Sequence, residues 1–376
     1  MVKLSNSLFK KINYFSVWFL VTFGILLNIS ASSVQGLNQF DDNFHFIKRH
    51  ISSIIIGIII YNLGKKLSFS IYKKFANVSI VTITLALFFV LTYGIVAGGS
   101  RRWIDLGVIN LQPSEFAKPV IIFWIAYQLS YIKTENSNFY YLKRALALPI
   151  LCCFFIYLEP DYGTTLTIFS VILAQILFSD IKLRYPIGVL LLSPIPLYLL
   201  AASGTYRLNR ILTWWDGKCN RGEDLLGDCF QLNQSRIAIS SGGLFGLGPG
   251  TSRARWGMLP NSHSDFIASI IGEEYGFIGL LILLIMLFLL IISFYGLAIT
   301  SRSEFKRIFL SGVATWILVQ SIFNLGGLVG LLPITGIVLP FIAYGGSAMV
   351  AMFIAFTISH VEFTEEELWK KLLCFQ

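Results

Sequence analysis

Ten long apolar segments leave this chain few ways to fold. They run roughly over 14–34, 47–63, 77–97, 113–131, 145–158, 164–179, 186–203, 266–298, 308–332 and 341–361. A helix needs about 20 apolar residues to cross the hydrocarbon core of a bilayer, where every backbone N–H and C=O must find a partner inside the protein. Charge is correspondingly scarce: 13% of the 376 residues are charged, where an ordinary globular domain carries about 25%. So little charge cannot coat a soluble protein of this size. A soluble enzyme, a disordered chain and a secreted disulfide scaffold are all excluded. The expectation is an all-α polytopic membrane protein with about ten transmembrane helices. No repeat of fixed period and no low-complexity tract divides it. It reads as one membrane domain over 1–376 with a single large extracytoplasmic loop at about 204–265. The fifth and sixth segments are short and flank Glu159-Pro160-Asp161-Tyr162-Gly163. The eighth is long enough to tilt or to protrude.

Lys and Arg in short loops set the orientation. With the N-terminus in the cytoplasm, 17 positive residues lie inside: Lys3, Lys10, Lys11, Lys65, Lys66, Lys73, Lys74, Lys133, Lys143, Arg144, Lys182, Arg184, Arg302, Lys306, Arg307, Lys370 and Lys371. The short outer loops hold only Lys48, Arg49, Arg101 and Arg102. Seven more occupy the long outer loop, which is translocated largely regardless of charge. An even number of spans puts both termini in the cytoplasm. The first span, behind Lys10 and Lys11, is expected to be an uncleaved signal-anchor, since Ser30-Ala31-Ser32 makes a weak cleavage site. Cys152 and Cys153 read as small core residues. Cys219 and Cys229 lie ten apart in the outer loop, and a disulfide and two free thiols are equally compatible with that spacing.

Ionisable groups are costly near a bilayer, so those at the outer ends of spans need a reason to be there. Arg49 opens the second span, and Arg101, Arg102, Trp103 and Asp105 follow the third. In Pro113-Ser114-Glu115-Phe116-Ala117-Lys118, Pro113 suits a first helical position and Glu115 complements the helix N-terminus. Glu115 and Lys118 are three apart and share a face; a structural ion pair and a substrate role both fit. Asp161 sits where Pro and Gly break a helix, as an N-cap or as a group lining a wet cavity. Asp265, followed by Phe266 and Ile267, is half-desolvated at the loop boundary, which raises a carboxyl pKa and suits a proton acceptor. His263, two residues before it, does not complete a metal site. Glu273 and Glu274 could relay protons or form salt bridges. Gln234-Ser235 precedes a glycine-dense run, Gly242 to Gly250, that lacks the Walker Lys-Ser/Thr. Arg253 and Arg255 beside Trp256 could hold a phosphate and a sugar face, or anchor the loop to lipid headgroups. Pro333, Gly336, Pro340, Gly345 and Gly346 break the ninth-to-tenth connection, as happens where helices line membrane cavities.

The set resembles the SEDS proteins, the FtsW and RodA polytopic proteins of bacterial cell-wall synthesis. The matching stretches are Gly99 to Gly107, Gln112-Pro113-Ser114-Glu115 with Lys118, Pro160-Asp161-Tyr162-Gly163-Thr164, Gln234-Ser235 with Ser241-Gly242-Gly243, His263-Ser264-Asp265-Phe266-Ile267 with Gly272-Glu273-Glu274, and Leu339-Pro340-Phe341 with Tyr344-Gly345-Gly346-Ser347. The resemblance implies a glycosyltransferase of the bacterial inner membrane that polymerises lipid II. Asp265 matches the family's essential outer-loop Asp, so it is the expected catalytic base. Arg49, Glu115, Lys118 and Asp161 match polar positions of the central cavity. With Arg101, Arg102, Trp103, Gln234, Ser235, Arg253, Arg255 and His263 they form the candidate substrate-binding set, the positive members facing a departing pyrophosphate. The Gly248-Pro249-Gly250 turn and the Ser252 to Gly257 run look more like the FtsW branch, which serves division, than the RodA branch, which serves elongation. The resemblance further implies a class B penicillin-binding transpeptidase as partner, other divisome or elongasome membrane proteins, and no nucleic acid. No cofactor is assigned. A divalent cation, Mg or Mn, could assist the leaving group, although no complete ligand set is visible. Ala268 stands where the family has an aromatic, Ala343 where it has Ser, and Val338 replaces a smaller residue or Pro; none removes a charge. The segment 217–229 is an insertion without a family role. Two rival functions fit the hydropathy: a lipid-precursor flippase or transporter, and a non-catalytic scaffold for a transpeptidase. The gathering of charge at the outer side, rather than at mid-membrane, favours outer-face chemistry over transport.

Overall fold

The computed structural model describes residues 2–97, 100–105, 107, 110–130, 138–182, 184–185, 187–188, 214–219, 227 and 229–361. The expected seventh span, 186–203, lies outside the described residues apart from 187 and 188. In chain order the helices are α1 (Val2–Phe40), α2 (His45–Gly64), α3 (Phe69–Tyr93), α4 (Pro113–Leu129), α5 (Asn138–Leu158), α6 (Tyr162–Leu177), α7 (Phe230–Ser241), α8 (Ile267–Ile299), α9 (Glu304–Val329) and α10 (Gly346–His360). Six of them, α1, α2, α3, α5, α8 and α9, are long and apolar enough to cross a membrane, and α6 and α10 are shorter apolar helices. The chain is a polytopic membrane protein. Leu85, Phe88, Leu284 and Phe288 are exposed on its outside, an arrangement that costs nothing in hydrocarbon but would be a liability in water.

α8 packs along α1 and α9, α9 along α6 and α4, and α10 along α2. Large apolar side chains fill the centre, among them Trp316, Phe305 and Phe309, all fully buried. Close approach is bought with small residues in places: a Cβ on Gly24 of α1 would lie 2.8 Å from the Ile342 carbonyl, and Asn28, one turn on, donates to that same oxygen at 2.9 Å.

Three of the spans differ in detail from expectation. The third span is not 77–97: α3 ends at Tyr93, Gly94 turns extended at its C-cap (ψ 153°), and the apolar Ile95–Ala97 forms a strand, β1. Hydropathy cannot tell an apolar strand from the end of an apolar helix. Within the expected helical fold, β1 pairs antiparallel with β2 (Ser100–Asp105), which pairs antiparallel with β3 (Asn110–Leu111). The eighth span is interrupted at Gly276, whose φ of 66° and ψ of −160° no helix contains. The tenth span does not start at 341, because the chain before Gly346 is irregular and Phe341 has φ +60°. Pro333 and Pro340 lack an N–H for a helical ladder.

The break at Gly276 is closed by a backbone clasp from the outer loop. Phe277 and Ile278 N–H donate to the Gly243 and Leu244 carbonyls at 2.9 and 3.2 Å. Leu247 and Gly248 N–H donate back to the Glu273 and Glu274 carbonyls at 2.9 and 3.0 Å. A Cβ on Gly276 would sit 2.6 Å from the Leu244 carbonyl oxygen, so the clasp requires glycine there. Cys219 and Cys229 are disulfide-bonded, with 5.2 Å between their Cα atoms, which resolves the alternatives left open by their spacing.

Candidate active site

Asp265 stands at the entrance of α8. The turn before it is held by three N–H groups, of Ser264, Asp265 and Phe266, all donating to the Asn261 carbonyl at 3.1–3.3 Å. Asn261 reaches that geometry at φ +55°, a conformation Asn tolerates better than most residues. From α9, Asn324 donates to the Asp265 carbonyl at 2.8 Å and to the Ile337 carbonyl at 2.7 Å. One amide thus ties the Asp265 turn to the irregular 333–345 segment. That segment leaves Gly336 beside the carboxylate: a Cβ there would lie 3.6 Å from Asp265 Oδ2. The half-buried Asp265 opens on a cavity of ≈ 10 Å³ shared with Asn324, Thr335 and Gly336, room for about one water.

The electrostatics fit a proton acceptor. Burial pushes the Asp265 carboxyl up from 3.8 to about 6; the nearby Asp161 charge adds to the rise, while the Ser264 hydroxyl and the Arg102 charge oppose it. Asp161 is the N-cap of α6, with Oδ1 accepting from Thr164 N–H at 3.2 Å and Oδ2 facing the Ser114 hydroxyl at 3.5 Å. Arg102 of β2 donates through Nε to the Glu159 carbonyl at 3.1 Å and through Nη2 to the Pro160 carbonyl. It therefore clamps the turn that carries Asp161. Glu159 itself is fully buried, with no partner among the described residues for either carboxylate oxygen. Burial, reinforced by Asp161, pushes its carboxyl up to about 9, so it is carried as a neutral acid at neutral pH.

The other expected residues fall into separate groups. Glu115 and Lys118 form a buried ion pair at 2.8 Å, and Lys118 also lies 5.3 Å from the Trp316 ring centroid. His263 is buried against the Phe46 and Tyr344 rings at 4.7 and 5.2 Å; the exposed Arg49 lies beside the Tyr344 hydroxyl. Trp103 pairs across the sheet with Ile95, and Arg101, exposed, donates to the Thr92 carbonyl at 3.2 Å. On α7, Gln234 is half-buried. The Ser235 hydroxyl is engaged with Ser269 at 2.8 Å and with the Leu328 carbonyl at 3.0 Å, which pins α7 to α8 and α9. Arg253 and Arg255 are not gathered at Asp265. Glu273 holds their loop, accepting from Ser252 Oγ at 2.5 Å, Arg253 N–H at 2.9 Å and Ala254 N–H at 3.2 Å. The half-buried Arg255 reaches Ser30 of α1 at 3.3 Å, and the Ser30 hydroxyl donates to Glu274 at 2.5 Å. Glu273 thus anchors this loop through three hydrogen bonds. Among the described residues no group of three or more His, Cys, Asp or Glu could hold a metal ion.

The comparisons with known proteins agree with this architecture. Residues 11–364 match the cell cycle protein family that groups FtsW, RodA and SpoVE. The chain belongs to that family. It is 33% identical over 343 residues to the probable peptidoglycan glycosyltransferase FtsW of Geobacter metallireducens, covering 89% of each chain. It is 32% identical over 337 residues to the protein of the same name from Buchnera aphidicola, covering 88% of this chain and 94% of that one. A chain of a solved peptidoglycan synthase complex that coordinates polymerisation and crosslinking superposes with a TM-score of 0.74 at 23% identity, covering 95% of this chain and 97% of that chain. That identity speaks to the fold alone.

Within this family member, the residues that position Asp265 include several the motif reading passes over. Trp316, Gln320 and Asn324 lie on one face of α9 at four-residue intervals. Trp316 Nε1 donates to Gln320 Oε1 at 2.5 Å, and Gln320 Nε2 donates to the Val338 carbonyl at 2.6 Å. Together with Asn324 they hold an irregular segment whose own backbone ladder is broken. Their signal in the sequence is polar side chains recurring at helical spacing in an apolar span. Ser347, which the motif reading does include, accepts from Gln112 N–H at 3.0 Å and joins the entrance of α4 to that of α10.

Proposed function

We propose that the chain is a peptidoglycan glycosyltransferase that polymerises lipid II at the outer face of the cytoplasmic membrane, in cell division, with both termini in the cytoplasm. The observation that carries the chemistry is Asp265, a half-buried carboxylate raised to about 6 beside Arg102 and Asp161. A base of that pKa is ionised at neutral pH and still strong enough to accept a proton in a transition state.

The acceptor's GlcNAc 4-hydroxyl attacks the donor's anomeric carbon. The new C–O bond forms as the bond to the pyrophosphate breaks, its electron pair leaves with the pyrophosphate, and the hydroxyl proton passes to Asp265. Attack opposite the leaving group inverts the anomeric centre. Charge grows on the pyrophosphate, and in this reading the Arg102 cation stabilises it. Arg253, on its own loop, is an exposed cation suited to the lipid phosphates. The relatives named FtsW support a role in division, and the fold shared with a chain of a peptidoglycan synthase complex supports a class B penicillin-binding transpeptidase as partner.

The test is polymerisation of labelled lipid II by the purified protein, alone and with the transpeptidase. Glycan strands from wild-type protein and none from Asp265→Asn support the proposal. A variant that still polymerises removes Asp265 from the mechanism. Lipid II movement across the membrane without polymer, by either protein, would favour the transport reading.

A further inference from the structure

Where α9 ends, the outer loop caps it. Gly330 closes the helix at φ +79°, and the carbonyls of a last turn have no helical donors of their own. Leu332 and Gly330 N–H turn back onto the Gly326 and Gly327 carbonyls at 3.1 and 3.3 Å. The next three carbonyls are taken by side chains. Ser235 Oγ donates to the Leu328 carbonyl at 3.0 Å, Arg236 Nη2 to the Val329 carbonyl at 2.7 Å, and Trp214 Nε1 to the Gly330 carbonyl at 3.0 Å. Two arms of the loop supply these donors: Trp214 precedes Cys219, and Ser235 and Arg236 follow Cys229. The Cys219–Cys229 disulfide ties the two arms together.

The same bridge packs on the wall of the Asp265 pocket. Cys219, Cys229 and Leu232 of α7 are buried as a small apolar group against Ile334. Ile334 also packs on the main core, and with Leu328, Thr335 and Gly336 it lines the cavity on which Asp265 opens. The chain from Pro333 to Leu339 is irregular, so its place is set by what packs on it. Asn324 holds it at the Ile337 carbonyl, and the disulfide group meets it at Ile334.

We propose that the Cys219–Cys229 disulfide is a positioning element for Asp265: it holds two capping arms on the end of α9 and Ile334 in the pocket wall, which keeps that wall beside the carboxylate. The role rests on the glycosyltransferase reading, in which Asp265 is the base.

The experiment follows the purified full-length protein before and after treatment with a water-soluble phosphine, and again after reoxidation with oxidised glutathione, which leaves as two thiols. The phosphine's electron pair breaks the S–S bond, each sulfur takes a proton from water, and the water oxygen ends on phosphorus. Lipid II polymerisation is read across pH 5 to 8, and amide hydrogen exchange is read in parallel. Reduction lowers kcat about ten- to a hundredfold, as a displaced catalytic group does. The acid limb of the pH profile moves below about pH 6, because a wetter pocket relieves the burial that raises the Asp265 carboxyl. The charges facing that carboxyl, Asp161 at the start of α6 and Arg102 of β2, are not on the loop that the disulfide ties. Exchange quickens over 328–338 and is unchanged in α4. Reoxidation restores all three. Replacing Cys219 and Cys229 together with Ser reproduces the reduced protein, and Trp214→Phe, which keeps the disulfide and loses one cap, falls between. A reduced protein that polymerises at the oxidised rate overturns the proposal, and so does a lowered rate with an unmoved acid limb. Exchange that is unchanged over 328–338 overturns it too, as does exchange that quickens throughout the bundle, the mark of a general stabiliser. Oxidised protein that makes no polymer counts against the glycosyltransferase reading instead; the exchange difference over 328–338 then supports or overturns the brace by itself.

Discussion

Replacing Asp265 with Asn separates chemistry from folding, because the structure sets opposite expectations for the two. The bonds that hold this turn, from Asn324 and to Asn261, use backbone atoms of residue 265, so an isosteric amide leaves them intact. Removing a general base costs about 10²–10⁴ in rate, or about 3–5 kcal/mol of barrier. Stability moves the other way. The folded-state pKa of about 6 lies above the ordinary 3.8, so the folded protein binds this proton more tightly than the unfolded chain. The ionised carboxylate is a cost to the fold, absent below about pH 4 and fully present above about pH 6. At pH 7 that cost is on the order of 3 kcal/mol, and Asn removes it. The assay is lipid II polymerisation across pH 5 to 8, paired with thermal unfolding in detergent. Wild-type kcat/KM should rise about tenfold per pH unit up to about pH 6 and then level off. The Asn variant should be inactive throughout and at least as heat-stable as wild type at pH 7. An Asn variant with more than about a tenth of wild-type activity, or a wild-type rate that is flat below pH 6, refutes the base assignment. A marked loss of Tm would refute the electrostatic reasoning.

Lys118→Met strands the Glu115 carboxylate in a buried site, a loss of about 3–5 kcal/mol; adding Glu115→Gln should recover most of it, read as Tm in the four-membered cycle. Glu273→Gln weakens the anchor of the Ser252–Ala254 turn, so limited proteolysis should cut the loop faster and stability should fall by about 1–3 kcal/mol. Gly276→Ala drives a Cβ into the clasp and forces a left-handed residue to carry it, so folded yield from membranes should drop sharply, while Gly250→Ala, with open space around it, should be milder.

Much of the site was legible because burial cost and chain order are properties of the sequence. Asp161, Asp265, Glu115 and Lys118 stood out as charges beside apolar spans, and the pairing of Glu115 with Lys118 followed from three-residue spacing on one helix. Arg253 and Arg255 were legible as charges but not as to place. Which neighbour holds them depends on Glu273 and Ser30, residues 20 to 225 positions away. The break in α8 was equally hidden. Gly276 lies in a run apolar enough to read as one helix, and only the loop from Gly243 to Gly248 supplies the backbone partners that make a break affordable.

By itself the sequence determined that this chain lives in a bilayer, roughly where its helices cross, and which family it resembles. Those follow from hydrocarbon's intolerance of charge and unpaired backbone, a constraint that acts residue by residue. Only the tertiary structure decided where the helices stop being helices, and which carboxyls sit in surroundings that raise their pKa. A broken ladder survives only where distant groups such as Asn324 and Gln320 satisfy it. A carboxyl pKa is set by the summed burial and charge around it, which no single stretch of sequence contains.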